Sequence, residues 1–159
     1  MSDLITDGNT KVAWVSSIAN IHAPTAAELT AGFDWTTRIT PDGLKTDAAT
    51  ASVDTSSLAS TFSTTQVGRR SFTCELTIKR GSTTPEDQPK TTLIYGASGY
   101  LAVRRGVAYT TAFTAGDKVE IYPVTASEPS NVAPAANEIS KFTSILMVTG
   151  DPDTAATVA

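Results

Sequence analysis

Cysteine and histidine are almost missing from this chain, which has one of each, Cys74 and His22, in 159 residues. A single cysteine excludes an internal disulfide framework, and so small a stock of both residues excludes the His/Cys clusters that hold zinc. Charge is also thin. Only 18% of residues are Asp, Glu, Lys or Arg against 40% hydrophobic, and the formal net charge is −4. That balance argues against a basic domain gripping a nucleic-acid backbone. No apolar run approaches the length of a membrane span, and the first residues lack a basic stretch leading into an apolar one. The expectation is a soluble chain that folds in the cytoplasm of the cell making it, with no membrane partner.

Catalytic signatures are missing too: there is no G-x-S-x-G, no P-loop and no G-x-G-x-x-G. Asp117 and Glu120 lie beside one turn, where paired acids read as solvated turn residues rather than as a glycosidase pair. Asp151 and Asp153 lack the glycine-centred loop and distal Glu of a calcium site. Lone His22 stands in no recognisable relation to a nucleophile and reads as structural. The sequence therefore predicts no enzyme, with no catalytic, cofactor-binding or metal-binding residues and no cofactor. A hydrolase would need a pocket converging on His22, which alanine at that position should inactivate.

What is present in quantity is threonine and serine, suited to strands because β-branched Thr packs on a pleated surface while its hydroxyl stays wet. The stretch Gly99 to Ala126 holds two apolar segments, Tyr100 to Val103 and Val119 to Val124. An Arg-Arg-Gly corner follows the first and an Ala-Gly-Asp turn precedes the second. Glycine reaches positive φ at no steric cost, so Gly106 and Gly116 mark the reversals of a β-meander, with Leu101, Val103, Val119 and Ile121 in its core. Arg69 to Arg80 alternates clearly. Phe72, Cys74, Leu76 and Ile78 share a core face, while Ser71, Thr73, Glu75, Thr77 and Lys79 share a wet one. Cys74 thus reads as a small buried apolar residue.

Further strands are expected at Lys11 to Ile18, at Asp34 to Thr40 with Trp35 and Ile39 facing the core, and at Glu138 to Thr149. Thr40-Pro41-Asp42-Gly43 fits a type I turn. Thr25 and Glu28 make a capping box for a short helical turn. Thr84-Pro85-Glu86-Asp87 signals the start of the one short flanking helix. Three segments have no clear place in a core. Residues 1–10 read as an arm carrying Leu4 and Ile5, and residues 151–159 as a polar tail. Between them the domain, 11–150, contains the Ser/Thr/Ala-rich stretch Leu44 to Gly68. Its Val53, Leu58 and Phe62 would give a projecting hairpin an apolar edge, so it is expected to be an ordered interface loop.

The strings IANIHAPTAAEL, GYLAVRRG and TAFTAGDKVEIYPVTA, with the long Ser/Thr loop between the first two and a Pro-rich loop and terminal strand after the last, resemble the major tail tube proteins of tailed bacteriophages infecting actinobacteria. The resemblance runs from about Trp14 to Gly150. It implies a β-sandwich or split-barrel subunit forming hexameric rings that stack into a hollow tube. Strands of six copies would close one inner β-barrel through which viral DNA passes transiently at ejection. The implied companions are a tape measure protein inside the tube, a tail terminator and a distal tail protein. The implied setting is the virion tail, assembled in the host bacterial cytoplasm. On this view Ser71, Thr73, Glu75, Thr77 and Lys79 line a hydroxyl-rich, net acidic lumen. Leu4, Ile5, Val53, Leu58, Phe62, Arg104 and Arg105 make inter-subunit contacts, the arginines pairing with a neighbour's carboxylates. The alternatives are a β-sandwich binding module, such as a capsid decoration or adhesion protein, and the inner tube of a contractile injection system.

Overall fold

The computed structural model describes residues 2–159, so that Met1 of the expected arm lies outside it. Its strands are β1 (Thr10–Val15), β2 (Phe33–Asp34), β3 (Ile39–Asp54), β4 (Thr65–Lys79), β5 (Ser98–Arg105), β6 (Lys118–Ala126), β7 (Ser130–Asn131), β8 (Lys141–Val148) and β9 (Asp153–Thr157). Two short helices accompany them, α1 (Ala26–Ala31) and α2 (Gln88–Thr92). The protein is mainly β. All nine strands belong to one antiparallel sheet in the order β2-β1-β5-β6-β8-β4-β3, with β7 added to β8 and β9 to β6.

β6 is where the sheet forks. One edge of it pairs with β5. Along the other, Lys118 to Ile121 takes β9 and Val124 to Ala126 takes β8. The fork lets the two halves turn toward one another. One core cluster accordingly joins Val12, Trp14, Leu101 and Val103 from one half to Cys74, Leu76, Ile78, Phe142 and Leu146 from the other. The reverse face of the first half carries a second cluster. There Ala13, Val15, Ala102 and Ile121 are covered by Leu29 of α1, Phe113, Ala156 and Val158. β1 is therefore buried on both faces, which explains why its sequence alternates only weakly. At the centre Trp14 stacks on Trp35, centroids 5.6 Å apart. The Trp35 Nε1–H donates to Gln88 Oε1 at 2.7 Å, which ties α2 to the core.

The meander lies where its glycines put it. Gly106 and Gly116 have φ of 85° and 92°, and β5 and β6 extend the two apolar segments by a few residues each. The capping box is formed as well. Thr25 Oγ1 accepts from Glu28 N at 3.1 Å, and Glu28 accepts from Thr25 N at 3.3 Å, opening α1.

Four local expectations are corrected. Asp34 to Thr40 is not one strand but the end of β2 and the start of β3 with a turn between, because Asp34 Oδ1 accepts from Thr36 N and Thr36 Oγ1, at 3.0 and 2.6 Å. That Asx turn reverses the chain over Trp35 to Arg38, so Trp35 is buried while Thr37 is exposed. Thr40 to Gly43, expected as a type I turn, does not separate two strands but interrupts one. Ile39 opposes Ile78 and Leu44 opposes Leu76, so it bulges out of β3. α2 starts three residues later than the Thr84-Pro85 signal, after Asp87, with Pro89 in its first turn. Asp87 is held instead as a bidentate partner of Arg80, at 2.6 and 2.8 Å. The segment expected to be a polar tail is largely β9. Its small Ala156, together with Val158, seals the second cluster.

Candidate functional site

Leu44 to Gly68 projects as an ordered hairpin, and most of it is strand. β3 and β4 pair with each other as far as Asp54 and Thr65, whereas β8 follows β4 only from Lys79 to Cys74. Beyond Cys74 the pair runs on as a two-stranded ribbon. Its tip is ordered by its own hydroxyls. Thr55 N donates to Thr64 O at 3.0 Å, Thr64 N to Ser56 Oγ at 3.0 Å, and Ser57 N to Ser60 Oγ at 2.9 Å. The Ser56 N–H and hydroxyl hold the Asp54 carboxyl below its ordinary range. This framework pushes large apolar side chains into solvent: Leu58 is fully exposed and Phe62 is 79% exposed, with Val53 and Val67 along the ribbon. Leu4 and Ile5 of the N-terminal segment are exposed as well, Leu4 lying near Gly106.

The wet face of β4 is wider than the sequence of that strand suggests. Register places Lys45, Asp47 and Ala49 of β3 beside Glu75, Thr73 and Ser71. On the other side Lys141, Thr143 and Ile145 of β8 stand beside Lys79, Thr77 and Glu75. Thr77 and Thr143 share a hydroxyl contact of 3.3 Å. The face therefore carries three lysines against two carboxylates, among short hydroxyls. It is close to charge balance, which corrects the expected net acidic wall. The apolar Ile145 and Met147 interrupt it, at 45% and 57% exposure. Alternation within Lys141 to Val148 was the signal available for these residues, but only the pairing says which neighbours they join. Cys74, Leu76 and Ile78 occupy the opposite, fully buried face, with Phe72 half-buried at its outer end and Ile39 packed beside it.

Both arginines of the corner find their carboxylates within the chain. Arg104 is wholly buried. It donates to Asp117 Oδ2 at 3.0 Å and to the carbonyls of Ala108, Thr111 and Ala112 at 3.1, 2.6 and 2.9 Å, lying over the Phe113 ring. Buried this completely it presents no surface to a neighbour, which corrects its assignment as an inter-subunit contact. The N–H of Thr114 and the Arg104 guanidinium hold the Asp117 carboxyl below its usual range. Arg105 donates to Glu120 at 2.6 Å, and Glu120 also accepts from the Tyr122 hydroxyl at 2.8 Å. Burial, helped by the Glu120 charge, pushes the Cys74 thiol up to about 11, a poor nucleophile at neutral pH. His22 Nδ1 meets Asp153 Oδ2 at 2.6 Å on the surface, while the His22 carbonyl accepts from Thr157 N; the residue fastens β9.

Between the start of β1 and the start of β3 lies a cleft of about 680 Å³. Val12, Ile39 and Leu44 give it apolar lining, and Thr37, Asp7 and Arg105 add polar groups. Among the described residues no group of three or more His, Cys, Asp or Glu side chains could hold a metal ion, and no helix is long and apolar enough to cross a membrane.

The sheet thus carries two surfaces with no partner within the chain, an exposed apolar ribbon and a hydroxyl-rich face, among the described residues. The chain belongs to the phage tail tube protein family, whose model matches residues 1–159. It is a structural protein of the tail tube, and as a phage tail protein it is part of the virion. Its fold is similar to a chain in the cryo-EM structure of the anti-feeding prophage baseplate, 6-fold symmetrised. The TM-score is 0.62 at 9% identity, with 96% of each chain covered. No curated protein matches in sequence.

Proposed function

We propose that six copies of this chain close into a ring, that rings stack into the tail tube, and that the β4 face lines a channel for DNA. The observation that carries this reading is β3. This sixteen-residue strand pairs with β4 along one edge, bulges aside, and has no partner along the other among the described residues. A long unpaired edge is a template for further strand pairing, and closing strands into a barrel removes it. With that edge paired to a neighbour, the face bearing Ser71, Thr73, Glu75, Thr77 and Lys79 turns to one side of a continuous wall. Short hydroxyls and near-balanced charge hold water there without a concentrated cationic surface. Phosphates are then neither gripped nor strongly repelled, and DNA slides. The ribbon and the N-terminal segment supply head-to-tail contacts, whose repetition gives an open filament.

Electron microscopy of the purified protein tests the ring: hollow filaments of six-fold rings support it, and monodisperse particles alone count against it. Glu75→Lys tests the wall by leaving four lysines against one carboxylate on each copy's face. Slower DNA ejection from assembled tails is expected; unchanged assembly and ejection would remove Glu75 from the lumen. A tape measure protein inside the tube, and terminator and distal tail proteins at its ends, complete the proposed partners. A second reading, the inner tube of a contractile injection system, is favoured by the likeness to the anti-feeding prophage baseplate chain and needs the same ring. A surrounding sheath on isolated particles separates the two.

A further inference from the structure

Building on the stacked-ring reading, we infer that the cleft between β1 and β3 is the receptor for the ribbon tip of a second copy in the next ring, with Leu58 and Phe62 as the inserted side chains. Cleft and tip lie at opposite ends of the same strand. Leu44 lines the cleft, and the tip begins after Asp54, ten residues further on and about 33 Å away at strand rise. A chain cannot fill its own cleft by that route, but it can fill that of a copy displaced along β3. A protrusion and a socket so placed make a heterologous contact that repeats without closing, as a stack of rings requires.

Chemistry matches at both ends. Residues 55–65 contain no charged side chain, and their two large apolar groups stand in solvent on a framework already ordered by Ser and Thr hydroxyls. The cleft offers Val12, Ile39 and Leu44, and its one cation, Arg105, is engaged by Glu120. An anionic occupant, phosphate or carboxylate, would meet no free positive charge there and would face Asp7. An uncharged apolar tip meets no such penalty. At about 680 Å³ the space falls within the range of pockets that enclose whole small ligands, roughly 300–1,000 Å³, enough for two side chains.

The test is a cysteine pair, Thr37→Cys with Phe62→Cys, in the full chain. Thr37 is exposed at the cleft wall, and the native Cys74 is fully buried and does not compete. Oxidation of assembled filaments should give a ladder of covalent multimers, reversed by reductant and lost when either cysteine is omitted. Separately, Leu58→Ser with Phe62→Ser should leave the monomer's unfolding midpoint unchanged while raising the concentration needed for filaments at least tenfold. Filaments that form without a ladder and tolerate the double serine variant would overturn the cleft assignment and leave the ring reading standing. A wild-type chain that forms neither rings nor filaments under any condition, with no ladder from the cysteine pair, would overturn both.

Discussion

Replacing Arg104 by methionine, Arg104→Met, should destabilise the subunit by about 3–5 kcal/mol, the cost of removing one partner from a buried ion pair. The side chain is wholly buried and donates four hydrogen bonds, one to Asp117 and three to carbonyls of the segment linking β5 to β6. Methionine has similar reach, so little cavity is left. The loss comes from Asp117 and three carbonyls deprived of a donor, each worth about 1–3 kcal/mol if it stays dry. Some of that linking segment can relax toward water, which places the total near the ion-pair figure rather than at the sum. Against a domain stability of about 5–15 kcal/mol this is a large share. With a urea slope of about 2 kcal/mol/M, the midpoint should fall by about 1.5–2.5 M. The assay is urea unfolding of dilute, unassembled protein followed by tryptophan fluorescence. Asp117→Asn should cost much less in the Arg104→Met background than in the wild type, because the pair is already broken. A loss below about 1 kcal/mol at unchanged slope, or simple additivity of the two substitutions, would refute the argument that these bonds hold the turn.

Gly99→Ala would place a Cβ 2.5 Å from Trp14 Cζ2, and moving that ring off Trp35 should cost about 1–3 kcal/mol with a red-shifted tryptophan emission. An unshifted spectrum and midpoint would show that the ring has room to move. Stability should be flat from neutral pH to about 5 and fall below about 4. Asp87, Asp117 and Asp153 all have carboxyls held below their ordinary range, so their contribution is full above the unfolded value of about 3.9 and is lost as pH drops through the folded ones. Midpoints measured across pH 7 to 3 check this, and Asp117→Asn should flatten the fall. Cys74 should resist a thiol reagent at pH 8 until the chain is unfolded, since the thiol is both buried and shifted upward; prompt labelling of the native protein would contradict that.

The parts of this fold legible in sequence were those decided by local chemistry. Gly106 and Gly116 have positive φ because the chain turns there, and the 69–80 alternation survives because one face is sealed and the other wet. The capping box needs only residues three apart. Less legible were features settled by distant partners. Trp35 to Arg38 reads as strand by composition, yet an Asx turn from Asp34 overrides that preference. Nothing near Arg104 in sequence says that Asp117 and three carbonyls converge on it. The ribbon looked like a loop because a two-stranded element with no core beneath it has no buried face to write alternation into its residues. β9 reads as a tail because its residues, Asp-Thr-Ala-Ala-Thr, are small or polar, as a solvated tail's also are, and only the pairing with β6 gives Ala156 a buried face.

The ribbon beyond Cys74 has a thermodynamic consequence for the free subunit. Its residues are held by β3–β4 pairs, by tip hydroxyls and by a surface ion pair of Arg70 with Asp151, so its opening exposes little that is not already in water. The subunit thus has two levels of order, a core that opens only with global unfolding and an arm that opens almost independently. Backbone amides of residues 49–54 and 65–71 should exchange with solvent orders of magnitude faster than those of β5 and β6. Any contact that holds the arm must then supply its ordering entropy, so growth is favoured where several arms are engaged at once rather than by single encounters.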